Sequence, residues 1–296
     1  MARRTAILLI AALSLHMGAF AGDKKKDPSA IGERNVSKGL NFYSLEQELA
    51  LGKQLSIEVQ RQTKIIDDPI VSEYINRVGQ NLARNSDVKF PVTFKLIQSD
   101  EINAFTLPGG YVFINSGLFE LSGNEAELAA AIAHEIGHAA ARHATRQASR
   151  DKLMTFGTLP LAILAGPAAR VAMNAAMPMA SLRFSRDFEN EADLLGIEYL
   201  WRAGYDPTAS IDLFEALAST EKRQPGSVAK LFRSHPLTPD RIEKTQKNID
   251  KLLPAQKEYV LNTSEYEDVR ARLEEITKRP PEDSKAPHLR ESPAND

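Results

Sequence analysis

The run AAAIAHEIGHAAARHATR, residues 129–146, restricts the fold more than any other stretch of the chain. Alanine is the strongest helix former, so the run predicts a helix. Ser122 and Glu125 form a capping-box pattern at its start, and the pattern continues to about Arg150. A helix with so little side-chain bulk has no broad apolar stripe of its own. It is buried only where neighbouring elements come close to its backbone, and Ala133, Gly137 and Ala139 are the small residues that permit this.

His134 and His138 lie four apart within that surface, so both imidazoles leave one helix face within reach of a single ion. Glu135 stands beside them, which suits a base acting on a metal-held water better than a ligand. With six histidines in 296 residues, chance would produce an HExxH in about one chain in a hundred, so coincidence is the weaker reading. On an unbroken helix His143 lies about 140° round from His138 and about 180° from His134. It therefore cannot join the same ion and is assigned to packing or to support of a ligand. An extended HExxHxxGxxH site needs Gly at 141 and His at 144; both are alanine.

The chain has no cysteine, so a third ligand must be His, Asp or Glu. The segment SRDFENEADLLGIEYL, residues 185–200, places Glu189 and Asp193 on one helix face beside Phe188, Ala192 and Leu195. Glu189 could ligate while Asp193 accepts the second N–H of a ligand histidine. On spacing alone an acidic, solvated helix turn is the better reading. Glu191 lies about 200° from Glu189 and points elsewhere.

The remaining chain supplies context. At 43% hydrophobic residues it can bury a substantial core, and a net charge of −2 gives no case for nucleic acid as the main partner. Residues 1–21 read as a signal peptide: basic MARR, an apolar core, and AFA ending at Ala21. Without cysteine no lipid anchor can follow, so an exported, periplasmic protein is expected.

Residues 22–43 read as a linker, 44–279 as the folded domain and 280–296 as a disordered tail. Helices are predicted over 44–63, from Pro69, over 186–203, 207–220, 238–253 and 265–279, with strands over 90–98 and 109–115. The segment 153–182 carries one charge, Arg170, and is broken by glycine and proline. It is read as a buried hairpin, a mobile apolar lid, or a peripheral contact with membrane or unfolded substrate, with a transmembrane span well behind.

Four motifs in order, NAFTLPGGYVFINSGL (103–118), HEIGH (134–138), SRDFENEAD (185–193) and SHPLTPDRI (234–242), resemble the M48 family of zinc metallopeptidases. The nearest likeness is to its soluble periplasmic members related to outer-membrane-assembly proteases, and it covers roughly residues 44–250. The resemblance implies an α+β fold, mostly helical and gluzincin-like, with a small β-sheet beside the HExxH helix. It implies one Zn2+ per chain on His134, His138 and Glu189, Glu135 as the base activating a zinc-bound water, and Asp193 behind a ligand histidine. It also implies that the 110–116 strand is an active-site edge to which substrate adds as a strand, with Asn103, Gly110, Tyr111, Val112 and Phe113 at the peptide. A central buried strand is the competing reading of Tyr111–Ile114. The larger periplasmic members carry a C-terminal helical-repeat domain. Here about 57 residues follow Pro239 without a second repeat copy.

His16 falls in the signal and His288 in the tail, which leaves His235 as the best donor for an oxyanion or as an occupant of the open zinc position. Arg241 is a weaker candidate for that duty. The expected function is a zinc endopeptidase of misfolded or unassembled envelope and outer-membrane proteins. The rivals are a chaperone-like or scaffold protein with a latent or structural zinc site, and a zinc amidase of cell-wall peptides.

Overall fold

A computed structural model of the chain describes residues 27–157 and 184–278. The signal-peptide reading of 1–21, nearly all of the apolar segment 153–182 and the tail 280–296 lie outside the described residues. Among those described, no helix is long and apolar enough to cross a membrane.

Helix α1 (Leu45–Gln62) opens on a full capping box of Ser44 and Gln47, and α2 (Pro69–Arg84) opens on Asp68, whose carboxylate accepts from Ile70 N and Val71 N. Three strands follow: β1 (Thr93–Ile97), β2 (Ala104–Leu107) and β3 (Tyr111–Asn115). Their order is β1-β3-β2, with β1 parallel and β2 antiparallel to β3. Alternation along the strands gives the sheet two apolar faces. Phe94, Leu96, Ala104, Val112 and Ile114 join the main core with α2. Leu107 and Phe113 pack with Val59 of α1 and Ile97, and Phe105 stacks on Phe113 with ring centroids 5.3 Å apart.

After α3 (Ser116–Leu121) comes α4 (Glu125–Ala140), the alanine-rich helix. Its cap is Asn124 rather than the expected Ser122: Asn124 Oδ1 accepts from Glu127 N, while the Ser122 hydroxyl turns back to donate to Leu118 O. The helix stops at Ala140, ten residues short of expectation. Arg142 adopts a left-handed φ of 56°, and α5 (His143–Gly157) starts in a new direction. The chain then runs through α6 (Arg186–Ala203), α7 (Ala209–Arg223), α8 (Ala229–Ser234), α9 (Pro239–Leu252) and α10 (Ser264–Lys278). The core forms around α4, which is buried along nearly its whole length.

The stretch read as a linker is described from Asp27 on, and there it packs on the body. Ile31 and Val36 enter the main core. Arg34 is buried between two carboxylates, with Nη2 2.6 Å from Asp87 Oδ2 and 2.7 Å from Glu198 Oε2. Burial pushes the Glu198 carboxyl up to about 7; Arg34 opposes the rise and Asp87 adds to it. A carboxyl raised by folding stabilises fully below its unfolded value of 4.5 and loses that contribution as pH climbs through its folded value. Stability should therefore fall between about pH 5 and pH 8, and Glu198→Gln should flatten the fall by up to about 3 kcal/mol. Urea unfolding of both proteins at the two pH values measures it; parallel falls would exclude Glu198 as the source.

Candidate metal centre

Helices α4 and α6 cross where neither has bulk. A Cβ on Gly137 would stand 2.9 Å from Ala192 O, and one on Gly196 would stand 3.2 Å from His134 N. This close approach lays Glu189 and Asp193 over His134 and His138. The small residues around the HExxH motif thus do what their lack of bulk predicted, and Gly196 on the facing helix, missed in the sequence, completes the crossing.

Ligand atoms of His134, His138, Glu189 and His235 lie within 4.8 Å of one another. The Nε2 atoms of His134 and His138 are 3.0 Å apart. Glu189 Oε2 lies 3.6 Å from the first and Oε1 lies 3.4 Å from the second. A tetrahedral zinc with bonds of about 2.1 Å spaces its ligand atoms about 3.4 Å apart, so these three side chains have the spacing of a zinc site. Buried Glu189 Oε2 has no hydrogen-bond donor, although Arg241 Nη1 stands 3.0 Å away as an ion pair. Two ring nitrogens and a carboxylate converging in this way fit a divalent cation.

His235 ends α8, where its backbone N–H donates to Leu231 O. Its Nδ1 reaches the same cluster, 3.3 Å from His134 Nε2 and 3.2 Å from Glu189 Oε1. Its Nε2 lies 3.5 Å from Glu135 Oε1, and Glu135 Oε2 is buried without a partner. Phe184 stacks on the His138 ring at 4.1 Å. The Glu135 carbonyl accepts from the Thr106 hydroxyl at 3.0 Å, which ties α4 to β2.

Asp193 Oδ1 stands 3.0 Å from His134 Nδ1. Arg241 grips the same carboxylate with two N–H groups, Nε to Oδ2 at 2.8 Å and Nη2 to Oδ1 at 2.7 Å. Burial alone would raise Asp193, but Arg241 outweighs it and holds the carboxyl at about 2. Glu189 is likewise raised by burial yet held below its ordinary value by His235, His134 and Arg241. Burial and the neighbouring imidazoles push His138 far below the usual histidine range, which keeps its lone pair free. For His235 burial acts downward, but the charges of Glu189 and Glu135 raise it overall.

Six of the residues expected at the site therefore meet: His134, Glu135, His138, Glu189, Asp193 and His235. The strand expectation needs correction. Tyr111, Val112 and Phe113 belong to β3, which is paired on both sides and cannot take another strand. Gly110 lies in the preceding turn, its carbonyl accepting from Thr93 N. The free edge among the described residues is β2. The outer side of β1 is covered by residues 64–66, since Ile66 N donates to Leu96 O and Gln98 N to Lys64 O. Asn103 leads into β2, is buried, and has an unpartnered Oδ1 on a groove of about 550 Å3. Arg241 is occupied by carboxylates rather than standing free for an oxyanion. His143 stays off the cluster, with Nδ1 2.9 Å from His138 Nδ1 and Nε2 3.1 Å from Glu191 Oε2. An apolar cavity of about 60 Å3 opens beside His134 and Glu135, walled by Leu118, Ala130, Leu213, Leu231 and Phe232.

Comparison with known proteins agrees with this chemistry. Residues 69–249 match the family described as Peptidase family M48. The chain is 37% identical over 229 residues to a putative beta-barrel assembly-enhancing protease of Vibrio cholerae, covering 74% of this chain and 47% of that protein. It is 32% identical over 257 residues to the beta-barrel assembly-enhancing protease of Escherichia coli, covering 83% and 52%. A third likeness, 34% over 157 residues, is to the mitochondrial metalloendopeptidase OMA1 of Saccharomyces cerevisiae, covering 51% and 44%. The chain spans about half the length of the curated relatives it matches.

Proposed function

Because the chain belongs to peptidase family M48, we propose that it is a zinc endopeptidase that cuts misfolded or unassembled envelope proteins, outer-membrane β-barrels among them. The observation that carries this reading is the convergence of His134, His138 and Glu189 with Glu135 beside them in one buried cluster. A purely structural site has no use for an unpartnered carboxylate next to its ligands, which weighs against the scaffold reading. The names of the relatives direct the substrate to outer-membrane assembly, and the N-terminal 21 residues direct the chain to the periplasm.

His134, His138 and Glu189 would hold the ion. When bound, zinc supplies Lewis acidity that makes water nucleophilic near neutral pH and polarises a carbonyl. Glu135 takes the proton from that water, holds it at Oε2 and returns it to the leaving amine. Asp193 Oδ1 lies 3.0 Å from His134 Nδ1 without an aligned hydrogen bond, and its charge favours the ring hydrogen on Nδ1, so that Nε2 presents a lone pair. The unpaired edge of β2 runs beside the cluster. Asn115 N donates to Asn103 O, so by antiparallel alternation Ala104 and Thr106 turn their backbone groups outward to an incoming peptide. Asn103 Oδ1 stands at the start of that edge, and the apolar cavity receives an aliphatic side chain beside the cut bond.

His235 Nδ1 occupies the cluster's fourth position, which supports a resting-state gate over an oxyanion donor. Zinc-loaded wild type and His235→Ala should both cut an unfolded β-barrel protein, the variant faster, with equal zinc in the two. A fall in rate of about a hundredfold with zinc retained would assign the donor role instead. Loss of zinc in the variant would overturn the ligand set, and an intact substrate in both would overturn the peptidase reading.

A further inference from the structure

His138 is buried, and both of its ring nitrogens have partners that determine which one carries hydrogen. Nε2 faces the cluster, 3.0 Å from His134 Nε2 and 3.4 Å from Glu189 Oε1. A ligand nitrogen must present a lone pair, so the hydrogen sits on Nδ1. The atom that meets Nδ1 is His143 Nδ1, 2.9 Å away. To accept, that nitrogen must be bare, which places the His143 hydrogen on Nε2. Nε2 in turn meets Glu191 Oε2 at 3.1 Å, an acceptor. Each contact thus has one donor and one acceptor, and none is left over. Arg146 fastens the far end, its Nη1 donating to Glu191 Oε2 and to Ala141 O, both at 3.1 Å.

We infer that His143 is a positioning residue for the metal centre, accepting the Nδ1–H of His138 and donating to Glu191, so that two neutral rings in series orient one ligand. The inference rests on the peptidase reading for the metal. The competing account is packing alone, since His143 is buried and stacks on Phe188 at 4.3 Å. That account leaves the buried His138 Nδ1–H without an acceptor, at a cost of about 1–3 kcal/mol.

The backbone supports the relay as well. On a continuous helix residue 143 would lie about 140° round from residue 138; the left-handed turn at Arg142 returns its ring to His138. A non-glycine residue in that conformation carries strain of about 1–3 kcal/mol, so it must be held. Arg142 Nε donates to Glu48 Oε2 at 2.6 Å and Nη2 to Tyr43 O at 2.9 Å. The two ligand histidines are therefore backed differently. His134 meets a carboxylate directly, whereas His138 meets one only through another imidazole.

Two measurements test this on the full chain. Nitrogen-15 NMR of the zinc-loaded wild type should give His143 as the Nε2–H tautomer; the Nδ1–H tautomer overturns the inference without any variant. His143→Phe keeps a ring against Phe188 but has no acceptor. It should weaken zinc binding, read by chelator competition, by about 10–100-fold. His143→Asn offers an acceptor oxygen and a donor nitrogen and should restore most of the loss. Equal zinc affinity in wild type and His143→Phe overturns the relay and leaves the peptidase reading standing, whereas a wild type that takes up no zinc overturns both.

Discussion

Glu135→Gln should leave zinc at one ion per chain and abolish cleavage of an unfolded protein. Glutamine has the same shape, and Glu135 points its carboxylate past the ligands rather than at them: Oε1 lies 3.5 Å from His235 Nε2 and Oε2 has no partner. The ligand cluster is therefore undisturbed, while the group proposed to take and return the proton is gone. Positioned acid–base groups typically contribute 10²–10⁴-fold, so a fall of about that size is expected here. Metal analysis and a cleavage assay on the same preparations make the comparison. Equal cleavage by the two proteins would sink the assigned role of Glu135. Absence of cleavage from both, with zinc present, would favour the scaffold reading with a latent site.

Arg241→Leu should destabilise the zinc-free protein by about 3–5 kcal/mol. The guanidinium is buried, chelates Asp193 and faces Glu189 Oε2 at 3.0 Å. Leucine strands two buried carboxylates whose nearest compensation is histidine, and isolated buried charge is expensive. Zinc should recover part of the loss, because a cation beside Glu189 does some of the work of Arg241. Arg241→Lys should fall between, since a lysine keeps the charge and cannot give the paired N–H groups. Urea unfolding with and without zinc measures both. A loss below about 1 kcal/mol would place this cluster with exposed ion pairs and contradict its burial.

Much of the centre was legible because it is written in helical periods. His134 and His138, and again Glu189 and Asp193, are pairs four apart, and one helix turn brings each pair together whatever the rest of the chain does. Which strand forms the edge is a tertiary fact with no such period. The Pro108–Gly109–Gly110 turn reads as a sheet margin, but it joins β2 to β3, and β1 then pairs with the far side of β3. The four-residue β2 is too short to show alternation by itself. The break after Ala140 was equally hidden, because arginine has no liking for a left-handed φ. What holds Arg142 there is Glu48, 94 residues earlier. The unbroken helix on which the sequence places His143 does not exist; its ring stands behind His138, outside the cluster of His134, His138, Glu189 and His235.

Arg34 bears on where this protein can be cut. Its charge neutralises Asp87 behind α2 and Glu198 on α6, five residues beyond Asp193. A fragment trimmed back to Ser44 on the ground that the preceding residues look like a tether would leave both acids sealed in the interior with their counter-ion removed. The smallest autonomous unit therefore includes the polar stretch before the first long helix, and a nick there would loosen the scaffold that carries Glu189 rather than release a dispensable leader.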